Sequence, residues 1–348
     1  MAYNCIDRHV KEGHGDRVCF YEDSVYTGKQ KAWTYNEVLN ETGRLATIMK
    51  EQFNVEAGDR VVVYMPMIVE SAFTMLACAR LGAVHCVVFG GFAPKELANR
   101  IDNCDPKLIV TSSMGIEPNK HIPYTPIVEE ALTQHCELAG AANIPRLIKQ
   151  RTELDGKLYA HDLDANNYKD YDELMAAETK VADCAVLPAN HPAYILYTSG
   201  TTGSPKGVVR DIGGTQVGIN WAMDNIYNVH RDSVNFATSD IGWIVGHSNI
   251  IYGPLLRGSA SVFFEGKPIT PDAGIIWRKV EQYGVTMLFM APTGVRVIKK
   301  EDYDSLESKK YDTSSIDGFC MAGERCDPDT ITWLNKTLPS AKINDTWW

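Results

Sequence analysis

The sequence lacks a long apolar run, paired cysteines and an excess of basic residues. No segment reaches the roughly 18 apolar residues of a membrane-spanning helix, and Asp7, Arg8 and His9 follow where a secretory signal would be apolar. The nine cysteines include no Cys-x-x-Cys pair, which argues against a zinc site or a disulfide framework. A net charge of −10 argues against nucleic acid or an anionic membrane as a partner. We therefore expect an intracellular chain with no membrane insertion.

Alternation of strand and helix patterns predicts the fold class. Continuous apolar runs such as 61–66 and 285–290 are typical of strands buried on both faces of a parallel sheet. Further strands are predicted at 83–89, 107–111, 234–237, 260–264, 318–321 and 341–344, and helices at 34–52, 70–81, 94–101, 214–227, 246–257, 270–283 and from 327. This pattern predicts an α/β fold with two doubly wound, mostly parallel sheet subdomains, at residues 1–185 and 186–348. A polar stretch at about 139–184 is interpreted as an excursion between them.

Residues 197–207 read Tyr-Thr-Ser-Gly-Thr-Thr-Gly-Ser-Pro-Lys-Gly. The glycines let backbone N–H groups approach an anion, the hydroxyls add donors, and Lys206 adds a positive charge. A solvated surface turn is the alternative, but such a turn needs no lysine fixed between Pro205 and Gly207. A Walker loop needs Gly-Lys-Ser/Thr at the start of a helix, which this segment does not have. The stretch therefore predicts a phosphate-binding loop of another kind.

This loop resembles the signature loop of adenylate-forming enzymes, which include acyl-CoA synthetases, peptide-synthetase adenylation domains and luciferases. The resemblance implies that ATP activates a carboxylate to an acyl adenylate with loss of pyrophosphate, and that the acyl group then passes to a thiol. It implies Lys206 and Thr201 as catalytic residues. It also implies ATP contacts from Thr198, Ser199, Gly200, Thr201, Thr202, Gly203 and Lys206.

The segment 240–248 contains Trp-x-x-Gly-His, which is similar to the family's acyl-pocket motif. The resemblance assigns the acyl pocket to Trp243, Ile244, Val245, Ala322 and Trp348. A core loop around a buried tryptophan is the alternative interpretation. We expect His247 to be a hydrogen-bonded structural residue, because no acid stands beside it in sequence.

Two later segments, 321–326 and 344–348, resemble family sequence that lies along the nucleotide. The resemblance assigns further ATP contacts to Gly323, Glu324, Arg325, Asp345, Thr346 and Trp347. A strand-to-helix turn capped by Asp327 is the alternative for the first segment. In the family the second segment continues to a glutamate that helps to hold Mg²⁺. We therefore assign no metal ligand, expect ATP, Mg²⁺ and CoA as cofactors or substrates, and expect a fragment without the C-terminal lid domain.

Residues 115–120 read Gly-Ile-Glu-Pro-Asn-Lys and resemble the CoA-facing region of short-chain acyl-CoA synthetases, with propionyl-CoA synthetases the best match. CoA contacts are assigned to Glu117, Pro118, Asn119, Lys120 and Val245, with a solvated surface lysine as the alternative for Lys120. The resemblance favours propionate, with acetate possible, in the mitochondrial matrix or cytoplasm. Two alternatives stay open: a truncated nucleotide-binding fragment without catalysis, and an adenylate-forming enzyme with a different acceptor.

Overall fold

The computed structural model describes residues 1–118, 120–152, 158–159, 167–198 and 205–347. The chain forms two compact units, the first comprising 1–8 and 36–216 and the second comprising 9–35 and 217–348. The expected boundary between 185 and 186 falls inside the first unit, because strands at 192–198 and 206–211 pair into the sheet of that unit. No helix in the described part of the chain is long and apolar enough to cross a membrane.

Strands and helices alternate along both units. The strands are β1 (Val18–Ser24), β2 (Gln30–Thr34), β3 (Arg60–Tyr64), β4 (Val84–Val87), β5 (Leu108–Ser112), β6 (Met114–Glu117), β7 (Lys120–Pro123), β8 (Arg146–Lys149), β9 (Arg151–Thr152), β10 (Leu158–Tyr159), β11 (Tyr168–Asp170), β12 (Pro192–Thr198), β13 (Lys206–Asp211), β14 (Val234–Ala237), β15 (Ala260–Glu265), β16 (Met287–Met290), β17 (Gly318–Met321) and β18 (Lys342–Asp345). The α-helices are α1 (Tyr35–Phe53), α2 (Val69–Leu81), α3 (Pro94–Cys104), α4 (Tyr124–Glu130), α5 (Tyr171–Ala177), α6 (Ile212–Asn225), α7 (Ile244–Gly246), α8 (Gly253–Arg257), α9 (Ile275–Tyr283), α10 (Pro292–Glu301) and α11 (Pro328–Thr337). Single turns of 3₁₀ helix lie at Ala141–Asn143 and Ser308–Lys310, and π-helical turns at Tyr3–Asp7, Val10–His14, Ala131–His135 and His247–Tyr252.

The first unit is built on a sheet in the order β11-β8-β5-β3-β4-β12-β13. All neighbours are parallel except the antiparallel pair β12 and β13. The chain runs outward from β3 in both directions, which is the doubly wound arrangement. Its core packs Val62 and Ile109 of the sheet against Leu97 and Ile101 of α3. The predicted α/β class is confirmed for this unit.

The second unit is built on a sheet in the order β18-β17-β16-β14-β15-β1-β2, which is parallel except for the β1 and β2 pair. The chain passes from β14 to β15 on one side and then to β16 on the other. The direction of winding therefore reverses between β14 and β16. Phe236, Leu288 and Phe319 of these strands pack with Trp277 of α9 in the core of this unit.

Several local predictions are confirmed. Pro94 lies at the start of α3, and Asp327 caps α11 by accepting a hydrogen bond from Thr330 N at 2.8 Å. Gly284 ends α9 in the left-handed conformation, with φ of 63°. Such a conformation is a common helix ending because glycine has no Cβ to clash there.

Other local predictions need correction. Helix α9 begins at Ile275 instead of 270, because the Asp272 carboxylate binds Gly274 N at 2.9 Å and Arg278 Nη2 at 2.7 Å and so closes a turn before the helix. The predicted helix 246–257 is α7, a π-helical turn and α8 in succession. The excursion at 139–184 contributes β8, β11 and α5 to the first unit.

Candidate active site

Four parallel strands of the second unit end at one edge of its sheet. These strands are β14, β16, β17 and β18, and the segments that follow them are 238–240, 291, 322–325 and 346–347. In open α/β sheets, ligands bind beyond the carboxyl ends of the strands, where the winding direction reverses. The reversal between β14 and β16 therefore marks this edge as the candidate site.

One cavity at this edge has a volume of about 400 Å³ and a mostly apolar wall. It is lined by Thr238, Ser239, Asp240, Trp243, Val245, Phe289, Met290, Ala291, Ala322 and Gly323. Three of the predicted acyl-pocket residues, Trp243, Val245 and Ala322, lie in this wall. Ile244 is half-buried in α7 and is not among the lining residues, and Trp348 lies outside the described residues.

A second cavity, of about 450 Å³, lies beside the first and shares Gly323 with it. It is lined by Gly323, Glu324, Arg325, Asp345, Thr346 and Trp347. All six residues were predicted as nucleotide contacts. Trp347 is 88% exposed and so offers a free aromatic face at this cavity. Gly323 has φ of 115°, a backbone conformation that residues with a Cβ rarely adopt.

Hydrogen bonds fix the loops of the second cavity to the sheet. Thr346 donates to the Met321 carbonyl oxygen from both its backbone N, at 2.7 Å, and its Oγ1, at 3.0 Å. Cys326 N donates to Asp345 Oδ2 at 3.2 Å. The ends of β17 and β18 are therefore joined on both sides of Gly323.

Helix α10 supplies the partners of Glu324. Thr293 Oγ1 and Arg296 Nη2 both donate to Glu324 Oε1, and Arg296 Nη1 lies 3.4 Å from Asp327 Oδ2. The hydrogen bond from Thr293 and the guanidinium of Arg296 hold the pKa of the Glu324 carboxyl below its ordinary value. The ionised Glu324 is thus matched by Arg296, and Arg325 is the cationic residue that lines the second cavity.

The turn 240–247 positions the tryptophan of the first cavity. Asp240 Oδ1 accepts from Gly242 N at 2.7 Å, and the Asp240 carbonyl accepts from Trp243 N at 3.1 Å. The Trp243 carbonyl in turn lies 3.1 Å from both the backbone N and Nδ1 of His247. These contacts place Trp243 and Val245 in the cavity wall.

Burial shifts the pKa values of two groups in this turn. It raises the pKa of Asp240 to about 6, although the Gly242 N–H and the Lys267 ammonium act in the opposite direction. It lowers the pKa of His247 to about 4. His247 is therefore neutral near pH 7, and its contacts with Trp243 support the structural role that we predicted for it.

The predicted phosphate loop is described only at its two ends. Thr198 ends β12 and pairs with Lys206, the first residue of the antiparallel strand β13. Lys206 is therefore a strand residue, although we predicted a loop, and its side chain is exposed. Ser199, Gly200, Thr201, Thr202 and Gly203 lie outside the described residues.

Lys206→Ala should weaken ATP binding by about tenfold or more, because a hydrogen bond to a charged group contributes about 1.5–3 kcal/mol. The melting temperature should stay unchanged, because the side chain is exposed. Calorimetric titration with ATP and a thermal melt measure the two effects. Arg210→Ala is the matched control, since it removes another exposed cation from the same strand. Equal losses in both variants would show that net charge alone matters.

The predicted CoA residues are divided between the units. Glu117 and Lys120 face each other across the β6 and β7 hairpin, which follows the carboxyl end of β5 in the first unit. Pro118 is exposed at its turn, and Asn119 lies outside the described residues. Val245 belongs to the second unit. Lys120 is exposed, so a solvated lysine remains an equally good interpretation of that position.

Sequence reasoning missed six residues of the first cavity. They are Thr238, Ser239, Asp240, Phe289, Met290 and Ala291. All lie at or just after the carboxyl ends of β14 and β16. The sheet order makes these two strands neighbours, and a search for polar residues after predicted strands would have found Thr238, Ser239 and Asp240.

The described residues do not form a metal cage. No group of three or more His, Cys, Asp or Glu within this part of the chain is placed to hold a metal ion. The two carboxylates of the second cavity, Glu324 and Asp345, are bound to Arg296 and to Cys326 N. Mg²⁺ commonly takes its ligands from substrate phosphates, water and one or two carboxylates.

The reversal point and the paired cavities define an open α/β domain with a candidate ligand site beyond the carboxyl ends of its strands. The chain belongs to the family of AMP-binding enzymes, which matches residues 6–348. The predicted resemblance to this superfamily is therefore confirmed.

Curated relatives align along the whole chain. Acyl-CoA synthetase short-chain family member 3, mitochondrial, from Homo sapiens is 44% identical over 349 residues, which are 100% of this chain and 49% of that protein. Acyl-CoA synthetase short-chain family member B, mitochondrial, from Dictyostelium discoideum is 40% identical over 100% of this chain and 50% of its own length. Propionate–CoA ligase from Escherichia coli (strain K12) is 39% identical over 100% of this chain and 53% of its own length. The chain spans about half the length of these relatives.

Proposed function

We propose that this chain forms the acid- and nucleotide-binding part of a short-chain acyl-CoA synthetase. Such an enzyme would use ATP to convert a carboxylic acid to an acyl adenylate, and CoA to convert the adenylate to acyl-CoA. The observation that carries the proposal is the pair of cavities that meet at Gly323. An acid in the first cavity and a nucleotide in the second would bring a carboxylate next to the α-phosphate. Holding two reactants together in this way removes much of the entropic barrier to their reaction.

Each group of site residues would have a separate role in substrate binding or catalysis. Trp243, Val245 and Ala322 would bury the apolar tail of the acid, and Trp347 would stack on the base of the nucleotide. Lys206 and Thr201 would stabilise the negative charge that develops on the phosphates in the transition state. Mg²⁺ would supply further charge neutralisation when it arrives with ATP.

The proposed substrate is propionate, with acetate as a weaker one. Ala322 is 3% exposed and its small side chain leaves space in the wall of the first cavity. The name of the Escherichia coli relative supports this choice. The proposed locations are the mitochondrial matrix or the cytoplasm. The names of the mitochondrial relatives support the first of these, and cell fractionation with an antibody to this chain would distinguish them.

Ala322→Val should shift the preference from propionate toward acetate. The two added methyl groups would fill space that the longer acid needs, and one methylene in an apolar pocket changes specificity by ~10–200-fold. The ratio of kcat/KM for propionate to that for acetate, measured in the protein to which this chain belongs, gives the effect. Ala176→Val is the matched control, because Ala176 is exposed on α5 and lines neither cavity. A wild-type preference for acetate would contradict the substrate proposal itself.

The reaction class is tested by measuring pyrophosphate and AMP with propionate, each with and without CoA. AMP formation that requires CoA is expected for the synthetase. Pyrophosphate release with transfer to another acceptor would instead identify a different adenylate-forming enzyme.

For residues 1–348 alone, the second candidate is nucleotide binding without turnover. The observation that favours it is that the relatives are about twice as long. We propose that residues 1–348 release pyrophosphate ~10²–10³-fold more slowly than a version extended to the length of the relatives, as expected if groups that stabilise the transition state are missing. Equal rates would contradict this proposal.

A further inference from the structure

The first cavity contains one carboxyl group in a wall that is otherwise uncharged. Of the ten described residues that line it, only Asp240 carries a formal charge. The other nine are six apolar residues together with Thr238, Ser239 and Gly323. A cavity that admits an acid by its apolar tail thus exposes that tail to a fixed negative charge.

The geometry holds this charge in place. Asp240 Oδ1 accepts from Gly242 N at 2.7 Å, and the Asp240 carbonyl accepts from Trp243 N at 3.1 Å. The cation that acts on the carboxyl is Lys267, which follows β15, the neighbour of β14 in the sheet. Its influence is smaller than that of burial. The charge of Asp240 is therefore fixed in the wall and only partly compensated.

Volume alone does not explain a preference for small monocarboxylic acids. A cavity of about 400 Å³ falls in the range that holds drug-sized ligands. A four-carbon acid with a second carboxylate would therefore fit by size. Two like charges in one mostly apolar cavity repel each other, and such contacts discriminate between ligands.

We propose that Asp240 is a specificity-determining residue that rejects acids with a second negative charge and admits monocarboxylic acids with neutral tails. The proposal rests on the proposed function, because it takes the first cavity as the acyl site. The residue acts on the tail of the acid, at a distance from the carboxylate that reacts.

The test uses non-hydrolysable acyl adenylate analogues in which a sulfamoyl group replaces the phosphate. Three 5′-O-(N-acylsulfamoyl)adenosines are compared by calorimetry on the whole chain: propionyl, succinyl with its free carboxylate, and succinamoyl, its neutral analogue of the same size. The quantity of interest is the ratio of the succinyl to the succinamoyl dissociation constant, because size and nucleotide contacts cancel in that ratio.

Wild-type protein should bind the succinyl analogue at least about tenfold more weakly than the succinamoyl analogue. The reason is that a contact between like charges weakens binding by more than about tenfold. Asp240→Asn should reduce this ratio about tenfold, because asparagine keeps an oxygen for Gly242 N and removes the charge. Asp304→Asn is the matched control, since it removes an exposed carboxylate of the same unit that does not line the cavity. If Asp240→Asn fails to fold, as judged by near-ultraviolet circular dichroism, Asp240→Ser keeps a short acceptor for the same N–H.

If the ratio of the succinyl to the succinamoyl dissociation constant is unchanged in the folded Asp240 variants, the inference is wrong. The proposed function still stands in that case if the protein binds the propionyl analogue. A wild-type protein that binds none of the three analogues would overturn the proposed function, and the inference with it. A ratio that falls equally in Asp304→Asn would also overturn the inference, because a general charge effect would then account for it.

Discussion

Gly246→Ala is expected to lower the free energy of unfolding by about 3 kcal/mol or more, at the upper end of the cost of overpacking a closely packed site. A Cβ at this position would lie 2.2 Å from the Asp240 carbonyl oxygen and 2.5 Å from Ile241 Cα. Both are backbone atoms and cannot move aside by a rotation of a side chain. The turn that carries Trp243 would have to open, and denaturant unfolding followed by tryptophan fluorescence measures the loss.

Gly218→Ala is the matched control. Gly218 lies in α6, and no atom stands within 4 Å of the position that its Cβ would take. Alanine there should stabilise the protein by about 0.5–1 kcal/mol, because glycine inside a helix is unfavourable relative to alanine. A similar loss of stability in both variants would show that the steric explanation for Gly246 is wrong.

Asp240→Asn is expected to raise the free energy of unfolding by about 2 kcal/mol at pH 7.5 and to leave it nearly unchanged at pH 4. The pKa of Asp240 is raised to about 6 in the folded protein, whereas an aspartate in an unfolded chain has a pKa of ~3.9. Between these two values the folded state binds more protons than the unfolded state. Stability from this group therefore falls as the pH rises through that window, and asparagine avoids the loss.

His247 has the opposite effect on how the free energy of unfolding varies with pH. Its pKa is lowered to about 4 by burial, whereas an unfolded histidine titrates near ~6.5, so its contribution to stability is lost as the pH falls through that window. His247 is present in both wild type and Asp240→Asn, so its contribution cancels when the free energy of unfolding of one protein is subtracted from that of the other. Unfolding curves at pH 4, 5, 6 and 7.5 give this difference, and a difference that does not vary with pH would contradict the assigned burial of Asp240.

The apolar pattern predicted the buried strands and missed the polar ones. β3 and β16 are continuous apolar runs and were predicted within two residues at each end. β1 was missed because its sequence carries Glu22 and Asp23, which are buried against partners far along the chain, such as Lys279, whose Nζ lies 2.6 Å from Asp23 Oδ2. β13 was missed because it is exposed along most of its length and lies on the edge of its sheet.

The candidate site also contains residues that local motifs predicted and residues whose position depends on strand pairing. Glu324 and Arg325 lie in local motifs, and the structure brings their neighbours at 345–347 into the same cavity. A search for polar residues after predicted strands would have found Asp240, but its place in the wall of the first cavity depends on the pairing of β14 with β16, which a single sequence does not reveal. The roles of the motif residues toward ATP remain predictions, and so does the role of the loop 199–203.

Under the proposed function, a single glycine separates the acid site from the nucleotide site. Gly323 is the one described residue that lines both cavities, and its φ of 115° disfavours any side chain there. We therefore expect a library of variants at Thr238, Ser239, Val245 and Ala322 to change which acids are accepted while ATP affinity stays near its wild-type value. Directed evolution toward new acyl groups can begin with these residues of the first cavity, while Gly323, which both cavities share, is kept unchanged.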